Sequence, residues 1–359
     1  MRRLDVNRAR ELCAEAFAAV GLPPEQAEPC TNAILFASRR GLDSHGIVSI
    51  LPAIANRVAR GEIDRAASVE TVRDDAATAL LKGNGVAGPA IGERAMGLAI
   101  EKAKTYGVGI VGAFNCDHFG AASYYSSLAV RAGLIGLTMC NAAPTVAPFG
   151  GRKPVHGTNP ISYGFPGGAE GPIILDIATS AAAHGQIFKA HRRGQPIPLG
   201  WAIDAEGKPT TDTAAALKGV LLPFGGQKGY GMGILVDALT GALAGSTVAL
   251  SVVHSGDPKT RGQSFFFEAI DVDRFTPKGT FQERLDQIVR DVRSVPPAEG
   301  FQEVLLPGDL ERRQEEERAR LGIPLYDEDW QALVDGLKRA GVPADQVERY
   351  APAEAAPGG

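Results

Sequence analysis

The sequence predicts a mixed α/β protein that opens with a helical part. Three observations point there. Segments with helical periodicity fill the chain up to residue 61, short apolar runs alternate with helices from residue 77 onward, and glycines cluster at 83–92, 107–112, 150–171, 225–233 and 241–245. No repeat of fixed period underlies the pattern. The division it suggests is a helical part over 1–75 and an α/β domain over 76–255. A C-terminal strand and helices over 256–345 then complete the first part, and the tail over 346–359, ending APAEAAPGG, is expected to be disordered.

The elements follow in order. Leu4, Ala9, Leu12, Ala16 and Val20 share one face of a helix over 4–20, which Gly21-Leu22-Pro23-Pro24 ends. A second helix over 25–39 turns Ala27, Cys30, Ile34 and Leu35 inward and stops at Arg39-Arg40-Gly41, cations followed by glycine. A third covers 47–60. Ala77–Leu81 is a short apolar run, and Pro89–Tyr106 is a helix with proline in its first turn. Val108–Phe114, Leu134–Cys140, Ile161–Phe165, Ile173–Ile177 and Phe265–Ile270 have the texture of strands. Ser123–Ala132, Tyr230–Ala244, Phe281–Val292 and Asp327–Ala340 have that of helices.

Bulk properties exclude several classes. Of the 359 residues, 44% are hydrophobic and 22% charged, enough apolar material for a core. A formal charge of −4 argues against a nucleic-acid partner, which needs a basic surface to neutralise phosphates. No apolar run reaches the ~20 residues of a membrane span, and the first residues, MRRLDVNRARELCAEA, lack the apolar core of a secretory signal. Cys13, Cys30, Cys116 and Cys140 show no ligand spacing and read as reduced thiols of a cytoplasmic protein.

Gly83-Asn84-Gly85-Val86-Ala87-Gly88 matches the G-x-G-x-x-G of a dinucleotide-binding βαβ unit, so a Rossmann-type dehydrogenase is one reading. Against it, the preceding strand is short and runs into Lys82. The acid beyond the next strand, Asp117, sits inside its own polar cluster, Cys116-Asp117-His118-Phe119-Gly120. Three of the six histidines stand in polar, glycine-flanked contexts: His45 in Ser44-His45-Gly46, His118, and His184 before Gly185. An imidazole exchanges protons near neutrality, and Ser44 either relays a proton with His45 or caps the following helix. No G-x-S-x-G elbow supports a serine hydrolase, and no H-x-x-x-H or H-E-x-x-H pairing supports a metal site. Asn141-Ala142-Ala143-Pro144, Gly157-Thr158-Asn159-Pro160, Asp176-Ile177-Ala178-Thr179-Ser180 and Gly225-Gly226-Gln227-Lys228-Gly229 look like loops built for anion or amide contacts.

Taken as an ordered set, LDSHGIVSILPAIANRVARGEI, DHFGAASYYSSLAVRAGLIGLTMCNAAPTVAPFGG, GTNPISYGFP, ILDIATS, GGQKGYGMGILVDALTGALAG and LLPGDLE resemble the malate/L-lactate dehydrogenase family, over about residues 4–340. That family includes ureidoglycolate dehydrogenase, sulfolactate dehydrogenase and piperideine-2-carboxylate reductase. The resemblance implies a non-Rossmann NAD(P)-binding fold, a homodimer, and hydride transfer between NAD or NADP and a small 2-hydroxy or 2-keto acid or related imino acid. It assigns His45 as proton donor and acceptor with Ser44 as relay, and leaves exchange of that role with His118 open. Substrate contacts fall on Ser49, Thr158, His184 and Gly185. Cofactor contacts fall on His118, Phe119, Gly120, Ala121, Ala122, Asn141, Asp176, Ile177, Ala178, Gln227, Lys228, Pro307, Gly308 and Asp309, and the hexad at 83–88 becomes coincidental. Two positions depart from the pattern. Ser49 stands where many members carry an arginine for the substrate carboxylate, which leaves Arg57 or Arg152 as replacements. Gln186 stands where a charged residue helps orient the catalytic histidine, which leaves Asp43 or Asp176. These departures keep a catalytically altered, metabolite-binding member as the alternative.

Overall fold

The computed structural model describes residues 2–253 and 262–354. A short strand β1 (Arg2–Leu4) precedes α1 (Val6–Ala19), which starts where the Asp5 carboxylate accepts the N–H groups of Asn7 and Arg8. α2 (Pro24–Arg39) begins on a proline, whose missing N–H costs nothing in a first turn. Gly41, at φ 78°, turns the chain into a 3-10 turn over Asp43–His45 and then α3 (Ile47–Ala59). The α/β portion runs β2 (Glu70–Asp75), β3 (Thr78–Lys82), α4 (Gly88–Tyr106), β4 (Val108–Cys116), α5 (Ala122–Arg131), β5 (Ile135–Cys140), β6 (Ile161–Phe165) and β7 (Ile173–Ile177). A small unit follows, with α6 (His184–Arg192), β8 (Ala202–Ile203), β9 (Pro209–Thr210), α7 (Thr213–Lys218) and β10 (Val220–Leu221). The chain closes with α8 (Gln227–Asp237), β11 (Gln263–Ile270), α9 (Thr280–Ser294), α10 (Asp309–Leu321), β12 (Ile323–Leu325), α11 (Asp327–Arg339), α12 (Ala344–Glu348) and β13 (Ala353–Glu354). Among the described residues no helix is long and apolar enough to cross a membrane.

Seven strands form one mixed sheet in the order β2-β3-β4-β11-β5-β6-β7. Only β3 and β4 pair in parallel, joined through α4; every other neighbouring pair is antiparallel. β11 is the central strand, with Phe265 opposite Cys140 on β5 and Ala113 on β4. Its alternation explains both layers. Phe265, Phe267 and Ala269 pack on the side of α4 and α5, whereas Phe266 joins Leu137, Met139 and Val236 on the other face. The expected grouping of this strand with the C-terminal helices is therefore corrected: a strand buried on both faces completes the α/β sheet, not the first part.

The helical part and the chain's C-terminal end share one core, in which Leu12, Phe17, Ile34, Ile47 and Leu51 meet Leu333, Leu337 and Val347. β1 lies between β12 and β13 in a second, antiparallel sheet. The tail therefore does not start at 346: Val347 and Tyr350 are buried and the backbone pairs with β1 as far as Glu354, while residues 355–359 lie outside the described residues. The helix expected over Tyr230–Ala244 is α-helical only to Asp237 and widens to a π-turn over Ala238–Ala242, where the Leu243 N–H donates to Ala238 O.

Candidate active site

One end of the large sheet collects the candidate loops. Lys82 at the end of β3 pairs with Phe114, and Cys116 at the end of β4 pairs with Gln263 at the start of β11. Cys140 ends β5 opposite Phe265, and Ile161 starts β6 beside Met139 and Ile177. Residues 83–88, 117–122, 141–142, 157–160 and 178–180 thus emerge on one side.

The Ser44-His45 turn reaches that side from the helical part. Ser44 Oγ lies 2.9 Å from His45 Nδ1, so its hydroxyl serves the imidazole. The cap for α3 comes instead from the buried Ser38, whose Oγ accepts the Ile47 N–H at 2.9 Å. Gly46 is required there, because a Cβ would stand 2.9 Å from Ser38 Oγ. Beneath the turn, buried Arg318 of α10 donates to Ser38 O at 2.6 Å and to the Asp43 carboxylate at 2.7 Å. Asp43 is thus engaged with Arg318. Burial pushes the His45 imidazole below its ordinary pKa.

His118 arrives on the loop after β4. Asn115 turns the backbone at φ 54°, a left-handed conformation that asparagine tolerates. Asp117 Oδ1 accepts the His118 N–H at 2.6 Å and pairs with Arg57 Nη1 at 2.7 Å. The Gly120 N–H donates to His118 Nδ1 at 3.2 Å. These constraints leave the His45 and His118 rings nearly parallel, 5.5 Å apart between centroids and inclined by 16°. Phe119 does not share the position: its side chain is buried and stacks on Tyr125 and Phe265 at 4.8 and 4.4 Å. Ala121 and Ala122 are likewise buried.

The glycine hexad packs under this loop. A Cβ on Gly83 would come 2.6 Å from Asn115 O, and one on Gly88 would come 2.4 and 2.3 Å from the carbonyl oxygens of Asp117 and His118. Both glycines are spent on close backbone contact with the His118 segment.

A cleft of about 210 Å³ adjoins the His45 turn, lined among others by Leu42, Arg40, Ser123, Asp176, Pro307 and Gly308. Leu42 O accepts the His45 backbone N–H at 2.8 Å, which ties the cleft wall to the turn that carries His45. Asp176 is exposed toward solvent while its Oδ2 accepts the Ser123 N–H at 2.8 Å. Pro307 O accepts the Ile174 N–H at 3.4 Å, bringing the late loop beside β7. Asp309, expected as a cofactor contact, instead closes its own loop. Its carboxylate takes the Leu306 N–H at 3.0 Å and the guanidinium groups of Arg312 and Arg293 at 3.0 and 3.2 Å. Burial alone would raise its pKa; these donors outweigh it and hold the carboxyl below its ordinary range.

The remaining expected residues divide. Asn141 is a buried clasp, accepting the Ser264 N–H at 2.7 Å and donating to Thr247 O at 3.0 Å, so its side chain is committed within the chain. Thr158 O accepts both the N–H and the hydroxyl of Thr179, which joins the 157–160 loop to the segment after Asp176. Gln227 and Lys228 are exposed at the start of α8, and Gly229 beside them packs on Thr179 O. His184 and Gly185 belong to the small unit, where α6 packs with α7 and His184 lies 6.1 Å from Phe188; burial lowers the His184 pKa. Gln186 and Arg152 are exposed, Arg152 beside Gly207. Ser49 is exposed, with Oγ 3.4 Å from Asp43 O. Arg318, Arg40 and Ser123 were not anticipated. A buried arginine in the charged run DLERRQEEERARL carries no periodic signal, and in the sequence Ser123 is simply the first residue of a predicted helix.

A model of the malate/L-lactate dehydrogenase family matches residues 4–334. L-sulfolactate dehydrogenase of Methanothermobacter thermautotrophicus is 37% identical over 326 residues, spanning 90% of this chain and 93% of that protein. The NAD(+)-dependent ureidoglycolate dehydrogenase of Escherichia coli O157:H7 is 33% identical over 326 residues, again 90% and 93%. The solved structure of sulfolactate dehydrogenase from Methanocaldococcus jannaschii superposes with a TM-score of 0.88 at 35% identity, covering 96% of this chain and 98% of that one.

Proposed function

The chain belongs to the malate/L-lactate dehydrogenase family, and from that premise we infer that it is an oxidoreductase moving a hydride between a nicotinamide cofactor, NAD or NADP, and a small 2-hydroxy or 2-keto acid or related imino acid. The observation that carries the site assignment is the parallel pair of His45 and His118 beside the cleft holding Asp176.

The cleft suits a dinucleotide by its donor set. The Asp176 carboxylate would accept hydrogen bonds from ribose hydroxyls, Ser123 would offer a polar contact, and Leu42, Ile174, Leu306 and Leu310 would form an apolar wall for a flat ring. Pro307 and Gly308 line the same cleft; Ile177, Ala178, Gln227 and Lys228 complete the proposed cofactor set on the family resemblance, which leaves the hexad at 83–88 outside it. When bound, the nicotinamide supplies or takes the hydride.

His45 takes the proton of the substrate hydroxyl during oxidation and returns it during reduction. Its Nδ1 is already occupied by Ser44 Oγ, which leaves Nε2 for the substrate oxygen and lets the hydroxyl follow the proton shift on the other nitrogen. His118 fits a different task. Its Nδ1 accepts from Gly120, so the neutral ring carries its hydrogen on Nε2 and is a hydrogen-bond donor. That supports His45 as the acid–base group and His118 as the residue that orients the substrate oxygen. Thr158 remains the proposed substrate contact from the neighbouring loop; His184 and Gly185 keep that role only as an expectation carried by the family resemblance.

We also propose a cytoplasmic homodimer. The four cysteines are free and buried. Ile234, Leu235, Leu243, Leu250 and Val253 expose an apolar surface along α8 and its continuation, which a second copy would cover. Light scattering after size exclusion should give twice the chain mass, and Leu243→Glu should shift it toward one.

The direct test is a panel of 2-keto acids and cyclic imino acids with both reduced cofactors, read at the nicotinamide absorbance. His45→Ala should lose ~10²–10⁴-fold in turnover while cofactor affinity, followed by fluorescence, stays within a few-fold. Equal turnover in the variant removes His45 from the chemistry. Cofactor binding with no turnover across the panel identifies a metabolite-binding member of the family instead.

A further inference from the structure

Arg57 lies in the last turn of α3, about three helical turns beyond the start of the helix that follows the His45 turn. The sequence offers it as a replacement for the cation missing at Ser49, but its contacts point elsewhere. Nη1 lies 2.7 Å from Asp117 Oδ1 and Nε lies 3.3 Å from Glu62 Oε2. The pair is well shielded, with 15% of the Arg57 side chain and 5% of the Asp117 side chain exposed. The same Asp117 oxygen accepts the His118 N–H. From below, the carbonyl oxygens of Asp117 and His118 rest on Gly88. One helix therefore follows directly on the His45 turn and, in its last turn, carries the guanidinium that grips the carboxylate next to His118.

We propose that Arg57, acting through Asp117, is a positioning residue that sets the spacing and near-parallel stacking of the His45 and His118 rings. This rests on the reading of those imidazoles as the catalytic pair. Swinging Arg57 away to a substrate would take from the buried Asp117 carboxylate its guanidinium partner, a costly loss at a shielded ion pair. Holding it in place fixes the loop bearing His118 to the helix that follows the His45 turn, across the seam between the helical part and the sheet. Geometry of this kind matters to rate because a displacement of about 1 Å at reacting groups can cost ~10²-fold.

The test uses Arg57→Lys and Asp117→Asn, singly and combined, in the full chain. Each single variant should lower kcat by roughly 10–100-fold with KM changed by less than about threefold. Because both act through one contact, the double variant should be no worse than the poorer single one, within about threefold. In parallel, NMR of histidine-labelled protein should show the His45 and His118 imidazole signals displaced in the same sense in both single variants. Asp117→Asn, which preserves shape, carries the test if Arg57→Lys does not fold. A KM raised about tenfold with kcat retained in Arg57→Lys, or multiplying effects in the double variant, would mean that Arg57 binds substrate and would overturn the proposal. So would unmoved imidazole signals. If the unaltered chain turns over none of the acids, the catalytic reading fails, and the imidazole spectra still decide whether Arg57 sets the ring pair.

Discussion

His45 is half-buried, linked to Ser44 on one side and facing His118 on the other. Its burial disfavours the imidazolium, so the neutral base predominates at pH 7. Oxidation of the hydroxy acid should therefore lose rate only below the ordinary histidine value of about 6.5, with an acid limb at lower pH. Reduction of the keto acid should quicken over that same acid range. A pH profile of kcat/KM in both directions checks this, and an acid limb above 6.5 for oxidation contradicts it. The same shift has a sign for stability. The unfolded chain takes up the proton first, so the contribution of neutral His45 is present above about 6.5 and declines as pH falls toward the lowered folded value. At this scale the sequence was informative about chemistry and poor about partners. The polar, glycine-flanked settings of His45 and His118 marked both, whereas Arg57–Asp117 and Arg318–Asp43 join residues too far apart in the chain for spacing to reveal. Asn141 and Asp309 show the converse: polar residues in promising loops whose side chains are spent holding backbone.

At the scale of elements, the turn between β3 and α4 tests the role of the hexad. Gly88→Ala places a carbon against the carbonyl oxygens of Asp117 and His118, which have no room to retreat without moving the loop. Overpacking of this kind typically costs about 1–3 kcal/mol. The expected outcome is a lowered Tm and a large loss of turnover with cofactor affinity little changed; selective loss of cofactor binding would restore the hexad to the cofactor. α10 offers a second test. Arg318→Met leaves Ser38 O without its partner and Asp43 unanchored beneath the Ser44-His45 turn, so turnover should fall more steeply than Tm. Periodic helices and apolar strands were legible because burial on one face writes a pattern into sequence. β2 and α10 were not. β2 is exposed along its length, and α10 buries Asp309 and Arg318 where a helix usually buries aliphatic residues.

At the scale of the whole molecule, the two ends of the chain stabilise one another. Val347 is fully buried against the N-terminal helices, and the Tyr350 hydroxyl donates to Glu15 at 2.8 Å. Deleting residues 344–359 should lower stability by about 1.5–3 kcal/mol for Val347 alone, with the large sheet intact; an unchanged Tm would show that the tail contributes nothing. Sequence pattern suggested that the ends meet but misplaced the strand at 263–270, because a phenylalanine-rich run buried on both faces does not announce which neighbours it takes. That strand's central position has a consequence for how the protein is made. β4 and β5 are synthesised more than a hundred residues before the strand that must lie between them. Until Gln263–Ile270 leaves the ribosome, two apolar edges stand open, inviting pairing with other nascent chains. Folding of the sheet is thus a late, long-range event, and chaperone dependence should end abruptly once translation passes this point.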